Sequence, residues 1–180
     1  MNEKDVASVL ATEEQLAEIC QRLGRKISED YKDKKLYLVS VLKGAVVFMA
    51  DLLREITCDC QIDFMSVSSY SGTKSSGTVK FKKDLDIDPA GCDILLVEDI
   101  LDSGVTLSYL TKILKDRNAS SVKICTLLDK PQNRRAEIQA DYVGLEIPDE
   151  FVIGYGLDYD EKYRNLPFVG VLSPHVYEGK

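Results

Sequence analysis

The stretch from Cys92 to Leu107 (CDILLVEDILDSGVTL) limits what this chain can fold into more than any other part of it. Its first half is an apolar run of the kind found in a strand buried on both faces of a parallel sheet. The run ends in two adjacent carboxylates, Glu98 and Asp99, and a third, Asp102, follows three residues on. Next comes a small turn, Ser103-Gly104-Val105-Thr106, after which Leu107, Leu110, Ile113 and Leu114 recur at helical spacing. The stretch therefore reads as strand, acidic corner, loop and helix. In an open parallel sheet, ligands bind just beyond the carboxyl ends of the strands, and the acidic corner falls there. The amides of Ser103 to Thr106 can point into one concavity at the start of a helix, a setting that favours an anion. Gly104 permits the dihedrals such a loop requires. Three carboxylates at one strand end are costly unless a cation or hydroxyl groups satisfy them.

The rest of the chain alternates in the same way. Thr12-Glu13-Glu14-Gln15 is a capping box, and Leu16, Ile19, Leu23, Ile27 and Tyr31 behind it predict an amphipathic helix packed on a sheet. Lys35 to Leu42 reads as a buried strand and Ala45 to Arg54 as a helix, with Lys43-Gly44 at the corner between them. Gly44 lets backbone come close to an anion and Lys43 supplies charge. Gln61 to Ser68 is predicted as a strand, and Val79 to Lys82 as its short return. Between them, Ser69 to Thr78 is polar and glycine-bearing, which reads as a mobile lid in preference to an inert hairpin tip. Val122 to Leu128 and Asp141 to Ile147 are further strands, the first closed by Asp129-Lys130-Pro131. Strands alternating with helices imply an α/β fold with a mainly parallel sheet. No linker or internal repeat divides the chain, so 1–180 is expected to be a single domain.

The strand, acidic pair and Asp-Ser-Gly-Val-Thr loop resemble the signature of the phosphoribosyltransferases. The likeness extends over about Leu36 to Val171, and it is most specific to the hypoxanthine-guanine phosphoribosyltransferases, whose Leu-Lys-Gly loop Leu42-Lys43-Gly44 matches residue for residue. The resemblance implies the type I phosphoribosyltransferase fold, with a small hood formed largely by residues 148–180. It implies that hypoxanthine or guanine reacts with phosphoribosyl pyrophosphate (PRPP) to give IMP or GMP and pyrophosphate. In that scheme Ser103, Gly104, Val105 and Thr106 cradle the 5-phosphate, while Glu98 and Asp99 face the ribose hydroxyls and magnesium. Lys43, Gly44 and Arg164 hold pyrophosphate, and Asp158 is a further magnesium ligand. Lys130 meets the purine 6-oxo group, Phe151 stacks on the ring and Val152 offers backbone to the base edge. Asp102 is the general base at purine N7, and Ser69-Tyr70 begins the lid. Val105 departs from the threonine or lysine often found at its position; its amide does the binding, so the role of the loop is unaffected.

Charge then supplies a constraint. At a formal −7 the chain lacks the basic balance of a general nucleic-acid binder, yet PRPP is itself strongly anionic. Acids that hold Mg2+ resolve this, because the cation inverts the local electrostatics. No apolar run approaches the roughly 20 residues of a membrane span, and the Met-Asn-Glu-Lys-Asp start lacks a signal-peptide core. Five cysteines lack metal-ligand spacing, and Cys58-Asp59-Cys60 reads as a reduced pair, so a cytoplasmic protein is expected. The single histidine, His175, lies in the tail, which argues against histidine catalysis. There is no GxxxxGK[ST] loop to support nucleotide hydrolysis. The family implies a homodimer or homotetramer. The rival reading is a regulator of the same fold that binds PRPP or nucleotide; such proteins tend to lack the aspartate that Asp102 provides and need a basic RNA surface. A phosphoacceptor receiver domain is a weaker rival, since its acid pair would sit on the first strand, which here ends in Lys43-Gly44.

Overall fold

A computed structural model describes residues 3–69 and 79–178. In chain order the elements are β1 (Val6–Ala11), α1 (Glu13–Asp30), β2 (Leu36–Val41), α2 (Val46–Glu55), β3 (Cys60–Ser69) and β4 (Val79–Lys83). They continue with β5 (Asp93–Leu101), α3 (Val105–Asp116), β6 (Ser121–Asp129), β7 (Tyr142–Glu146), β8 (Val152–Ile153) and β9 (Val169–Leu172). Six strands form the main sheet in the order β4-β3-β2-β5-β6-β7, and every pairing is parallel except β3 with β4.

The continuous apolar run of β5 is explained by helices on both faces of that sheet. Leu95 and Val97 pack with α1 and α2 through Leu16, Ile27, Phe48 and Leu52. Ile94 and Leu96, pointing the other way along the pleat, pack with α3 through Leu107, Leu110 and Leu114. Helix α1 starts where its capping box lies: Gln15 N donates to Thr12 Oγ1 at 3.3 Å and Thr12 N to Gln15 Oε1 at 2.9 Å.

Two features differ from the sequence reading. Strand β5 does not end at its acids but runs on to Leu101, with Glu98 opposite Thr126 and Ile100 opposite Leu128 in the ladder. The acids therefore belong to the last residues of a central strand, because the long partner β6 continues the pairing past them. The second difference is β1, which the sequence pattern does not announce. It pairs antiparallel with β9, and β9 pairs with β8, giving a second, three-stranded sheet packed around Ile153, Leu166 and Leu172. The hood thus draws a strand from the N-terminal end as well as from the tail. Among the described residues no helix is long and apolar enough to cross a membrane.

Candidate active site

Three groups of side chains meet at the carboxyl ends of β2, β5 and β6. The first is built on the corner after β2. A Cβ on Gly44 would collide with the Asp99 carboxylate, and one on Gly156 would collide with the Gly44 carbonyl. Only glycine at both positions lets the hood segment, the Lys43-Gly44 corner and β5 approach so closely. The Leu42–Lys43 peptide is cis. From the hood, Arg164 donates to the Gly156 carbonyl at 2.7 Å and pairs with Asp158 at 2.8 Å and Glu161 at 3.2 Å. Glu161 also meets Lys43 at 3.0 Å. Lys43, Gly44, Asp99, Asp158 and Arg164 are therefore brought together. Glu161 was not among the expected residues; its only sequence signal is its place between Asp158 and Arg164.

Burial pushes the Asp99 carboxyl up to about 6, although the Ile100 N–H bonds it at 2.8 Å and Arg164 opposes the shift; Asp158 adds to it. Burial also raises the neighbouring Glu98 well above the ordinary carboxylate range, with the Asp99 charge contributing. A carboxyl strained toward its neutral form by burial is one that a cation would restore to the charged form. All the donors here are oxygens, which suits a hard cation. Among the described residues no three His, Cys, Asp or Glu side chains converge to hold a metal.

The second group is the loop after β5. Helix α3 begins at Val105 with Gly104 as its N-cap at φ 77°, a left-handed conformation that glycine adopts without penalty. Glu98, Asp102, Ser103, Gly104 and Thr106 line a cavity of about 230 Å³ together with Val41 and Leu107. Glu98 and Asp99 thus serve different walls, the first facing this cavity and the second facing Gly44. Asp102 and Val105 are exposed at its edge.

The third group lies between β6 and the hood. Lys130 is 7% exposed, and its Nζ donates to the Glu150 carbonyl with Asp149 Oδ1 3.7 Å away. Phe151 is 43% exposed, edge-on to Tyr159 at 5.5 Å between centroids and stacked with Tyr177 at 5.7 Å. Leu172 N donates to the Phe151 carbonyl at 2.8 Å, and Val152 stands opposite Val171. In an antiparallel ladder, bonded and unbonded pairs alternate. Val152 therefore turns its own N–H and C=O away from β9. Ser69 ends β3, while Tyr70 and the remainder of the expected lid lie outside the described residues. His175 is at 3.5 Å from Asp5, in the hood.

A phosphoribosyl transferase domain model matches residues 7–160. The chain is 53% identical to a hypoxanthine-guanine phosphoribosyltransferase of Bacillus subtilis, covering 99% of each. It is 51% identical to one of Staphylococcus aureus, covering 96% of this chain and 97% of the relative. A crystal structure of a hypoxanthine phosphoribosyltransferase from Staphylococcus aureus superposes with a TM-score of 0.94 at 51% identity, over 97% of this chain and 95% of that one. A point mutant of the Trypanosoma cruzi enzyme, solved as a ternary substrates complex, gives 0.93 at 40% identity over 97% of this chain and 99% of its own. The chain belongs to the phosphoribosyltransferase family, and within it to the hypoxanthine-guanine phosphoribosyltransferases.

Proposed function

We propose that this chain joins hypoxanthine or guanine to the phosphoribosyl group of PRPP, releasing pyrophosphate, in purine salvage. The observation that carries the proposal is the meeting of three chemically distinct groups at one sheet edge. These are the cationic and acidic corner at Lys43, Gly44, Asp99, Asp158 and Arg164, the glycine-turned loop at Asp102–Thr106, and the apolar and lysine-bearing face at Lys130, Phe151 and Val152.

In this reading the C1–pyrophosphate bond breaks with oxocarbenium character as purine N9 bonds to C1, and the proton on N7 passes to Asp102. Lys43, the Gly44 amide and Arg164 take up charge on the leaving pyrophosphate. The loop amides hold the 5-phosphate at the start of α3. Lys130 carries three donors, so the bond to Glu150 leaves others for a 6-oxo oxygen. Phe151 provides the stacking face, and the outward N–H and C=O of Val152 meet the base edge. Magnesium, when bound, supplies positive charge to the diphosphate and would be held through Asp99 and Asp158, with Glu98 beside them at the ribose. The reading also includes a homo-oligomer in the reducing cytoplasm, and it is supported there by five free cysteines.

The test is pyrophosphate release from PRPP with hypoxanthine, guanine or no base, in magnesium. Turnover must require a 6-oxopurine. Asp102→Asn should lower kcat by about 10²–10⁴, the range for a lost general base, and leave PRPP affinity unchanged because the loop amides remain. Base-independent activity, or an unchanged kcat in the variant, would remove this mechanism. A nucleotide-binding regulator would bind PRPP in the same experiment and release nothing.

A further inference from the structure

The segment that follows β6 takes up the carbonyl groups of the β5–α3 loop one after another. The Leu101 carbonyl accepts from Lys130 N at 3.0 Å and from Arg134 Nη1 at 2.9 Å. The Asp102 carbonyl accepts from the same Arg134 nitrogen. The Ser103 carbonyl accepts from Arg135 N at 2.9 Å and Ala136 N at 3.2 Å. Arg134 Nη2 is bonded to Asp129 Oδ1 at the end of β6, and both side chains are only 15% exposed. A Cβ on Gly104 would run into Ile138 and crowd Arg134, so the loop lies directly on this segment.

In a trans peptide the C=O and the N–H across the bond point in opposite directions, and these three peptides are trans. With the carbonyls of 101, 102 and 103 all held toward the segment that carries Arg134, the amides of Asp102, Ser103 and Gly104 must face the other way. The cavity of about 230 Å³ that Asp102, Ser103, Gly104 and Thr106 line has no wall from residues 130–136. The guanidinium bonded to the Leu101 and Asp102 carbonyls also polarises those two peptides, which strengthens the Asp102 and Ser103 N–H groups as donors. The side chain just before it, Asn133, is turned away to Asp149 at 2.6 Å.

We propose that Arg134 is the positioning residue of the phosphate loop: half-buried behind it and ion-paired to Asp129, it sets the direction of the Asp102 and Ser103 amides at the entry of the loop that receives the 5-phosphate. The proposal rests on reading Ser103–Thr106 as the seat of that phosphate. It predicts an effect confined to ligands that carry the phosphate. Binding of IMP and of inosine, the same nucleoside without the phosphate, should be measured by calorimetry for the full chain, Arg134→Met and Arg134→Lys, with Tm recorded for each. Arg134→Met should weaken IMP by about ten- to a hundredfold, the range of a lost charge-assisted hydrogen bond. Inosine affinity should be unchanged, and Arg134→Lys should recover part of the loss. Unaltered IMP binding in folded Arg134→Met, or an equal loss of IMP and inosine, would overturn the role of Arg134. Equal affinity of the unmodified chain for IMP and inosine would instead overturn the phosphate-loop reading beneath it. If Arg134→Met does not fold, Asp129→Asn keeps the guanidinium but releases its anchor. A smaller loss of the same phosphate-specific kind is then expected, and no selective loss counts against the proposal.

Discussion

A lysine ammonium is strongly hydrated, and enclosing one is costly unless acceptors replace the water. At Lys130 the Glu150 carbonyl is one such acceptor and Asp149 lies within ion-pair distance. The same side chain thus ties the start of the hood to the end of β6, and in the proposed function its remaining donors serve the base. Lys130→Ala should therefore do two separable things. It should weaken hypoxanthine by about 10- to 100-fold, from a lost charged hydrogen bond, while PRPP affinity holds. It should also lower stability by roughly 1–3 kcal/mol, because the Glu150 carbonyl loses its partner. Calorimetric titration with each substrate and a denaturant melt read the two effects; an equal fall in PRPP and base affinity would contradict the assignment of Lys130 to the base.

Among the elements, β3 and the chain after β4 are joined by a single buried carboxylate. Asp63 accepts from Phe64 N at 2.7 Å, Asp86 N at 2.8 Å and Ile87 N at 3.3 Å, with Lys83 Nζ at 3.4 Å. Burial by itself would raise this carboxyl, yet the backbone donors and Lys83 outweigh it and hold it below the ordinary 3.8. A depressed folded value means the unfolded chain binds the proton more readily. Asp63 thus stabilises the fold fully above the ordinary aspartate range and loses that contribution as pH falls through its folded value. Asp63→Asn would turn an amide donor toward N–H groups. We expect a loss of roughly 2–4 kcal/mol at neutral pH, a fall in Tm on the order of 5–15 °C, and a shallower loss of stability in acid. A melt series from pH 7 down to pH 3 tests all three, and an unchanged acid limb would show that the charge on Asp63 is not what joins these strands.

For the molecule as a whole, Cys20 on α1 and Cys125 on β6 report on the integrity of one shared core. Burial pushes both thiols above their ordinary value, Cys125 furthest, while Cys58, Cys60 and Cys92 are partly exposed. A thiol reagent at about pH 8, near the ordinary thiol range, should add at most three labels to the native protein by mass spectrometry. The last two should appear at the rate of global unfolding; rapid labelling of Cys125 would mean that the sheet opens locally. The periodicities that fix α1, α2, α3 and the strands of the main sheet are local, so they were legible in the residues, as were the Thr12 cap and the Asp102–Thr106 turn. Strand β1 was not, because Val6–Ala11 has three exposed residues in succession and no alternating apolar face; its pairing with β9 joins chain more than 150 residues distant. The Lys43–Glu161 and Asp99–Gly44 contacts, and the grip of Arg134 on the Asp102 carbonyl, likewise belong to no local pattern. Spacing along the chain determines which segments become strands and helices, since that depends on neighbours three or four residues away. Which strand ends come together, and which carbonyls a distant guanidinium can reach, depends on sheet order and hood closure, and these are decided only when the whole core is buried.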